Sequence, residues 1–123
     1  MILLREYDEE RQLDRVWYES SNVFYSECED SDTAEKVLRV VFKNGATYQY
    51  ENVDVNDYLM FIAGGIDNSN GKALNQFVKK KQCPYKRIED SDKEALIAEM
   101  NEIKQRRLQE KAKEVETEEK ETE

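Results

Sequence analysis

The feature that most constrains the fold of this sequence is a β-hairpin signal in its first half. Residues 37–43 are dominated by β-branched and aromatic side chains, which favour a strand. Asn44-Gly45 follows, a pair that tolerates the positive φ angles of a tight hairpin turn. Residues 46–50 read as the return strand. We therefore expect an antiparallel sheet built around this hairpin.

A two-residue turn at Asn44-Gly45 also predicts which side chains share a face of the hairpin. It pairs Val41 with Tyr48 and Arg39 with Tyr50, and cross-strand partners lie on the same face. The other face then carries the apolar side chains that read as core: Leu38, Val40 and Phe42. The face with two tyrosines and a guanidinium is interpreted either as a stacking platform for a nucleobase or as a sheet face covered by a helix.

The remaining pattern predicts further strands and three helices. Residues 16–18, 23–28 and 85–88 read as extended segments. The apolar side chains of residues 52–63 and 71–81 recur at helical spacing: Val55, Tyr58, Leu59 and Ile62, then Leu74, Phe77 and Val78. The predicted fold class is α+β, with a small, mainly antiparallel, four-stranded sheet, two short helices and a long C-terminal helix.

The length of 123 residues favours one sheet domain with a helical extension. We predict a sheet domain at residues 1–90, a C-terminal oligomerisation helix at residues 91–115, and a frayed acidic tail at residues 116–123. Ser91 and Glu94 have the spacing of a capping box at the start of that helix.

The apolar stripe of the C-terminal helix changes direction along its length. Its first half carries Leu96, Met100 and Ile103, and its second half carries Leu108, Ala112 and Val115, displaced around the helix by roughly 100°. A helix with such a drift changes partner along its length. We therefore expect the second half to contact another subunit, which predicts a homo-oligomer.

Composition excludes several kinds of chemistry. The sequence has no histidine, so Ser-His and Cys-His nucleophiles and histidine metal ligands are ruled out. Two cysteines cannot form a four-cysteine zinc site, and they suit a reducing compartment. No apolar run is long enough to span a membrane, and no secretion signal pattern opens the sequence. We expect a cytoplasmic protein that is not an enzyme, with no metal, cofactor or membrane partner.

Residues 65–73 resemble a phosphate-binding loop without matching one. The glycines stand one residue too far apart, and Ala73 replaces the Ser or Thr that would hold magnesium. A nucleotide hydrolase is therefore not expected. Gly71-Lys72 still opens a helix, whose first backbone N–H groups suit an anion. Lys72, Asn75 and Lys79 share one face of this helix, which is interpreted either as a ligand-binding face or as a solvated one.

Charge is unevenly distributed along the chain. The net charge is −9, but residues 1–34 carry −7, residues 35–88 carry +4 and residues 89–123 carry −6. A basic middle between acidic ends can bind a small anion while disfavouring a long nucleic acid. The alternative is that the acidic ends only confer solubility.

Two arginines of the C-terminal helix are weighed as ligand groups. Arg106 has Glu102 one turn earlier and can pair with it, whereas the positions one turn before Arg107 hold Ile103 and Lys104. This difference favours Arg107 over Arg106 as a phosphate ligand.

Several segments, in order and spacing, resemble the KTSC domain, which is named for its place at the C-terminus of some lysyl-tRNA synthetases. They are Ser20-Ser21-Asn22, residues 37–45, Tyr48-Gln49-Tyr50, residues 71–77 and residues 84–88. The resemblance covers residues 16–88. It implies a small antiparallel sheet followed by short helices, and it implies RNA binding as a function. The helix after Ser91 departs from the family pattern.

A sheet core with an added C-terminal helix is also similar to viral Thoeris anti-defence proteins. This resemblance implies an oligomeric sponge that sequesters a cyclic ADP-ribose-type or cyclic oligonucleotide immune signal without cleaving it. That family uses an aromatic residue, an Asn and several Arg. The residues nearest in position are Phe61, Asn75, Arg39, Arg106 and Arg107.

Overall fold

A computed structural model describes residues 1–30, 35–64 and 69–121, with side chains described as far as residue 113. The chain divides into two compact units, Met1–Ser91 and Asp92–Glu123. None of the helices in these described ranges is long and apolar enough to cross a membrane.

The first unit is an antiparallel sheet whose six described strands follow one another in chain order. The strands are β1 Ile2–Asp8, β2 Leu13–Tyr18, β3 Val23–Glu29, β4 Glu35–Phe42, β5 Thr47–Asp54 and β6 Tyr85–Ile88. The predicted α+β class is confirmed, although the sheet has more strands than the four predicted. The main omission is β1. It is an edge strand in which only Leu4 is buried. Its sequence therefore lacks the regular apolar alternation that would predict a strand.

The hairpin forms where predicted, but its register is shifted by one residue. Phe42 N–H donates to the Ala46 carbonyl, so the loop has three residues, with Gly45 at φ 91°. This is the three-residue loop that ends in a left-handed glycine. Tyr48 therefore pairs with Val40, and Tyr50 pairs with Leu38. Because a shift of one residue exchanges the two faces, both tyrosines lie on the face of Leu38 and Val40.

Arg39 consequently lies on the opposite face from the tyrosines, and its predicted pairing with Tyr50 is wrong. Arg39 is paired with Gln49 and forms ion pairs with Glu27 at 3.0 Å and Glu29 at 2.8 Å. Two carboxylates already satisfy its guanidinium, which makes it a cross-strand ion-pair residue of the sheet.

Helices α1 Val55–Ala63 and α2 Asn70–Leu74 and a π-helical turn at Asn75–Lys79 pack on the sheet face of Leu38 and Val40. Helix α1 begins later than predicted because β5 continues to Asp54, whose side chain accepts from Asn56 N–H as the N-cap. Its buried stripe is Tyr58, Phe61 and Ile62, whereas Leu59, predicted as core, is 45% exposed.

Asn70 connects the first two helices through its buried side chain. Its amide nitrogen donates to the Phe61 carbonyl at 2.9 Å and to the Ile62 carbonyl at 3.2 Å. These carbonyls lie in the last turn of α1, where several backbone acceptors lack helical partners, and the Phe61 carbonyl also accepts from Gly64 N–H at 3.0 Å. Gly64, in the left-handed region at φ 86°, ends the helix as the sequence predicts. Residues 65–68 of the phosphate-loop-like segment lie outside the described residues.

The second unit contains helix α3 Lys93–Glu121, which extends beyond the predicted end at residue 115. Its N-cap is Asp92, whose side chain accepts from Ala95 N–H at 3.2 Å, and not Ser91 as predicted. Ser91 belongs to the first unit, where its hydroxyl lies 2.9 Å from that of Thr47. Residues 122 and 123 of the predicted tail lie outside the described residues.

Candidate functional site

The strands β4, β5 and β6 and the segment after the π turn enclose a groove of about 790 Å³. We call it the aromatic groove. Its lining residues are Phe42, Tyr48, Tyr50, Lys79, Gln82, Cys83, Pro84 and Tyr85. The groove is open to solvent along Tyr85, whose side chain is 69% exposed on the edge strand β6.

Sheet geometry brings four aromatic rings together in this groove. Tyr48 and Tyr50 are two residues apart on β5 and so project from the same face. Across the β5–β6 ladder, Tyr85 pairs with Tyr50. The ring centroids of Tyr85 lie 6.0 Å from Tyr50 and 6.4 Å from Tyr48, and Tyr48 lies 5.8 Å from Phe42, edge to face. The result is a continuous aromatic wall that ends in an exposed ring.

The electrostatics of the groove differ from those of the whole chain. The sequence has 28 acidic residues, yet none of the described residues that line the groove carries a carboxylate. The charged group on its wall is Lys79, whose ammonium lies 5.8 Å from the centre of the Phe42 ring. An ammonium beside aromatic faces, without a lining carboxylate, suits a ligand that is both planar and anionic.

The backbone next to the groove departs from regular helix geometry. The π turn is closed by a bond of 2.9 Å from Lys80 N–H to the Asn75 carbonyl, and this turn ends at Lys79. Gln82 then adopts a left-handed φ of 57°. Isolated π turns and left-handed non-glycine residues are concentrated at functional sites, where the irregular backbone positions a side chain. Here both irregularities place side chains on the groove wall.

Burial raises the pKa of two groups that line the groove, Tyr50 and Cys83. Burial, together with the neighbouring Tyr48 and Tyr85, raises the pKa of Tyr50 to about 12. Burial also raises the pKa of the Cys83 thiol, with Asp57 adding to the effect. A protonated thiol is a weak nucleophile. Within the part of the chain that the structure describes, no cluster of residues could hold a metal ion.

The predicted ligand residues of the first unit do not line the groove: they are Arg39, Phe61, Lys72 and Asn75. Lys72 and Asn75 are exposed on α2 and the π turn, as predicted, and Lys79 on the same face reaches the groove. Phe61 is fully buried and packs on Tyr18, with 5.7 Å between ring centroids. A side chain sealed in the core is not accessible to a ligand in this conformation.

The three arginines predicted as ligand residues belong to different parts of the chain. Arg39 is held on the other face of the sheet by its two glutamates. Arg106 and Arg107 belong to the second unit, where both are exposed and both take part in interactions. Arg107 was preferred because no acidic residue lies one turn earlier. Since Arg107 takes part in an interaction, that reason does not establish a ligand for its guanidinium.

Sequence reasoning found part of the groove and missed the rest. The Tyr-x-Tyr pattern of β5 correctly placed Tyr48 and Tyr50 on one face. Tyr85, Gln82 and Phe42 were not identified as site residues. The alternation of β4 would have placed Phe42 beside the tyrosines had the register been right, whereas Tyr85 depends on a pairing between strands more than thirty residues apart.

A comparison with known protein families finds a match to the segment that contains most of the residues lining the groove. Residues 30–82 match the KTSC domain. This segment is similar to the KTSC domain, as the sequence resemblance indicates. The match is narrower than the resemblance over residues 16–88, and Phe42, Tyr48, Tyr50, Lys79 and Gln82 lie within it. Cys83, Pro84 and Tyr85 follow the matched segment of the KTSC domain directly.

A search of the curated proteins finds no match to the chain. The similarity to the KTSC domain therefore rests on the family match over residues 30–82, and the resemblance to viral anti-defence proteins stays a hypothesis.

Proposed function

We propose that the KTSC-like domain of this chain is a non-catalytic binding module that holds a nucleotide in the aromatic groove. The observation that carries the proposal is the composition of the groove wall: four aromatic rings, one lysine and no carboxylate among its described lining residues. Nucleobases stack on aromatic side chains, and a phosphate is attracted by an ammonium group. A nucleotide combines both groups in one molecule.

The size of the groove supports a small ligand. Pockets for small molecules and cofactors commonly enclose roughly 300–1,000 Å³, and the groove falls within that range. Its lining residues belong to the segment 35–88, which has a net charge of +4 in an acidic chain. We propose a mononucleotide or a compact cyclic nucleotide as the ligand class. Cyclic ADP-ribose-type signals belong to this class, and sequestration without cleavage would need only binding.

Replacing Tyr85 with alanine is expected to weaken nucleotide binding by about 1–3 kcal/mol, roughly 5- to 150-fold in Kd, because it removes the exposed stacking ring. The side chain is 69% exposed, so the melting temperature should change little. Isothermal titration calorimetry with AMP measures both the affinity and the stoichiometry. Tyr7→Ala is the matched control, since Tyr7 is also an exposed strand tyrosine and lies outside the groove. Equal affinity in Tyr85→Ala and the unchanged protein would contradict the proposal.

Single-stranded RNA is the second candidate ligand, favoured by the surroundings of the groove. Lys80 and Lys86 are exposed close in sequence to the groove residues Lys79 and Tyr85, and could extend a phosphate path beyond the groove. Salt dependence separates the two ligands, because the logarithm of the affinity for a single strand falls with a slope of about −0.7 per neutralised phosphate. A slope near that of AMP favours the small ligand, and a slope several times steeper favours RNA.

We also propose that helix α3 mediates homo-oligomerisation. Leu108 is 67% exposed and Ile97 is 40% exposed, although both are large apolar side chains. Burial of these side chains against another copy would remove apolar surface from water. We expect a dimer or larger assembly in light scattering at micromolar concentration, and a smaller mass for Leu108→Lys. A monomer in the unchanged protein would contradict this part of the proposal.

A further inference from the structure

The hydroxyl of Tyr50 differs from those of the other buried tyrosines in the described residues. The Tyr18 hydroxyl lies 2.6 Å from the Ser26 hydroxyl, Tyr25 accepts from Arg15 Nε at 2.8 Å, and Tyr58 donates to Asp14 at 2.7 Å. Tyr50 is buried to the same degree, with 2% of its surface exposed. Among the described residues, its hydroxyl has no hydrogen-bond partner.

This hydroxyl is in contact with the groove rather than sealed inside the protein. Within the described residues, no side-chain nitrogen or oxygen is both cut off from solvent and without a partner. The oxygen of Tyr50 must therefore be reached by solvent, and the open space that Tyr50 lines is the aromatic groove. The ring of Tyr50 is therefore buried, while its hydroxyl faces the aromatic groove.

The hydroxyl of a buried tyrosine normally has a hydrogen-bond partner, from the protein or from a molecule in the adjoining space. Here the structure provides none from the protein, while an adjacent groove is large enough for a ligand. The phenol stays protonated at neutral pH, so its oxygen can donate one hydrogen bond and accept another. It is therefore able to satisfy either a ring nitrogen or carbonyl, or an exocyclic amine, on the edge of a stacked base.

We infer that the Tyr50 hydroxyl hydrogen-bonds the polar edge of the bound base and makes the groove selective among nucleobases. This inference rests on the proposed nucleotide-binding function. Stacking on Tyr85 and attraction to Lys79 act on every nucleotide alike, since each base has a π face and each nucleotide a phosphate. Discrimination needs a directional group that meets the base edge. Among the buried tyrosines of the described residues, Tyr50 is the one whose hydroxyl has no protein partner and which lines the groove.

The test compares the full chain with Tyr50→Phe, a change that removes one oxygen and keeps the ring. The probes are AMP, GMP, CMP and UMP, each titrated by calorimetry at the same salt concentration. We expect the unchanged protein to prefer one or two bases, and Tyr50→Phe to bind those bases about three- to tenfold more weakly, the usual effect of one hydrogen bond. Affinity for the disfavoured bases should stay unchanged, so that the preference disappears.

Two controls separate recognition from a structural role. The melting temperature of Tyr50→Phe should equal or exceed that of the unchanged protein, because the lost hydroxyl had no protein partner to leave behind; a lower melting temperature would overturn the inference. Tyr7→Phe removes a tyrosine hydroxyl outside the groove and should leave all four affinities unchanged.

The outcomes distinguish this inference from the function on which it rests. If the four nucleotides bind but Tyr50→Phe keeps the same preference, the base-reading role of Tyr50 is wrong and nucleotide binding stands. If the unchanged protein binds none of the four, both are wrong.

Discussion

Replacing Asn70 with alanine is expected to lower the free energy of unfolding by about 1–3 kcal/mol, because the Ile62 carbonyl at the end of α1 loses its donor and the Phe61 carbonyl keeps only Gly64 N–H. The amide of Asn70 supplies both bonds, to Phe61 and Ile62, and the residue is fully buried. An orphaned carbonyl carries a desolvation cost of about 1–3 kcal/mol. Urea denaturation followed by circular dichroism measures the loss.

Asn70→Asp tests the same two hydrogen bonds with a side chain of nearly the same size. The carboxylate has nearly the shape of the amide and keeps an acceptor for the Met1 ammonium, which lies 3.0 Å from Asn70 Oδ1. It presents oxygen instead of N–H to the two carbonyls, so it should still lower the free energy of unfolding. Asn75→Ala is the control on the adjacent π turn. Its side chain is exposed, so its effect should stay within about 0.5 kcal/mol. Losses of similar size at residues 70 and 75 would show that Asn70 does not connect the helices.

Phe61→Ala is expected to destabilise the domain by about 3–5 kcal/mol, since it deletes a fully buried ring from the core. The ring packs on Tyr18, and the cavity would lie between α1 and the sheet. A loss of this size approaches the total stability of a small domain. Phe61→Leu, with a smaller expected loss, keeps the protein folded for binding measurements. Leu59→Ala, on the exposed side of the same helix, should cost much less.

The Phe61 variants also distinguish a core residue from a ligand residue. We expect Phe61→Leu to lower the midpoint of urea unfolding while the folded protein binds AMP with unchanged affinity. Weaker binding without loss of stability would restore Phe61 to the ligand site that the anti-defence resemblance implies.

The sequence was sufficient for the elements whose signals are local. The strand before Asn44-Gly45, the return strand and the helical spacing around Tyr58 all depend on residues within one turn or one strand, and all are present. The fold class follows from them, because an antiparallel sheet with short helices after it has few ways to bury its apolar face.

The parts that the sequence did not predict depend on distant partners or on a choice between near-equal local options. Asn44-Gly45 suits both a two-residue turn and a three-residue loop, and the difference moved Arg39 away from the tyrosines. Asp92 and Ser91 are both good caps, and the bond between Ser91 and Thr47 decides between them. Strand β1 and the role of Tyr85 depend on the β1–β2 and β5–β6 pairings, and no local sequence pattern identifies which strands pair.

The same reasons explain why Phe61 and Arg39, two of the predicted ligand residues, do not line the groove. Phe61 was chosen by position in a resemblance, yet it occupies the one helical stripe that faces the sheet. Lys79 and the tyrosines were each noted from the sequence, but only the corrected register and the π turn bring them to one groove.

Nucleotide binding in the aromatic groove is tested most directly by a ¹H–¹⁵N NMR titration of the full chain with AMP, cyclic ADP-ribose and a short oligouridine. We expect saturable shifts for at least one of them at the backbone amides of Tyr48, Lys79, Gln82 and Tyr85, with little change at Arg39 on the opposite face of the sheet. Shifts confined to Arg106 and Arg107 on α3, or no shifts at millimolar concentration, would contradict the assignment of this groove as the binding site.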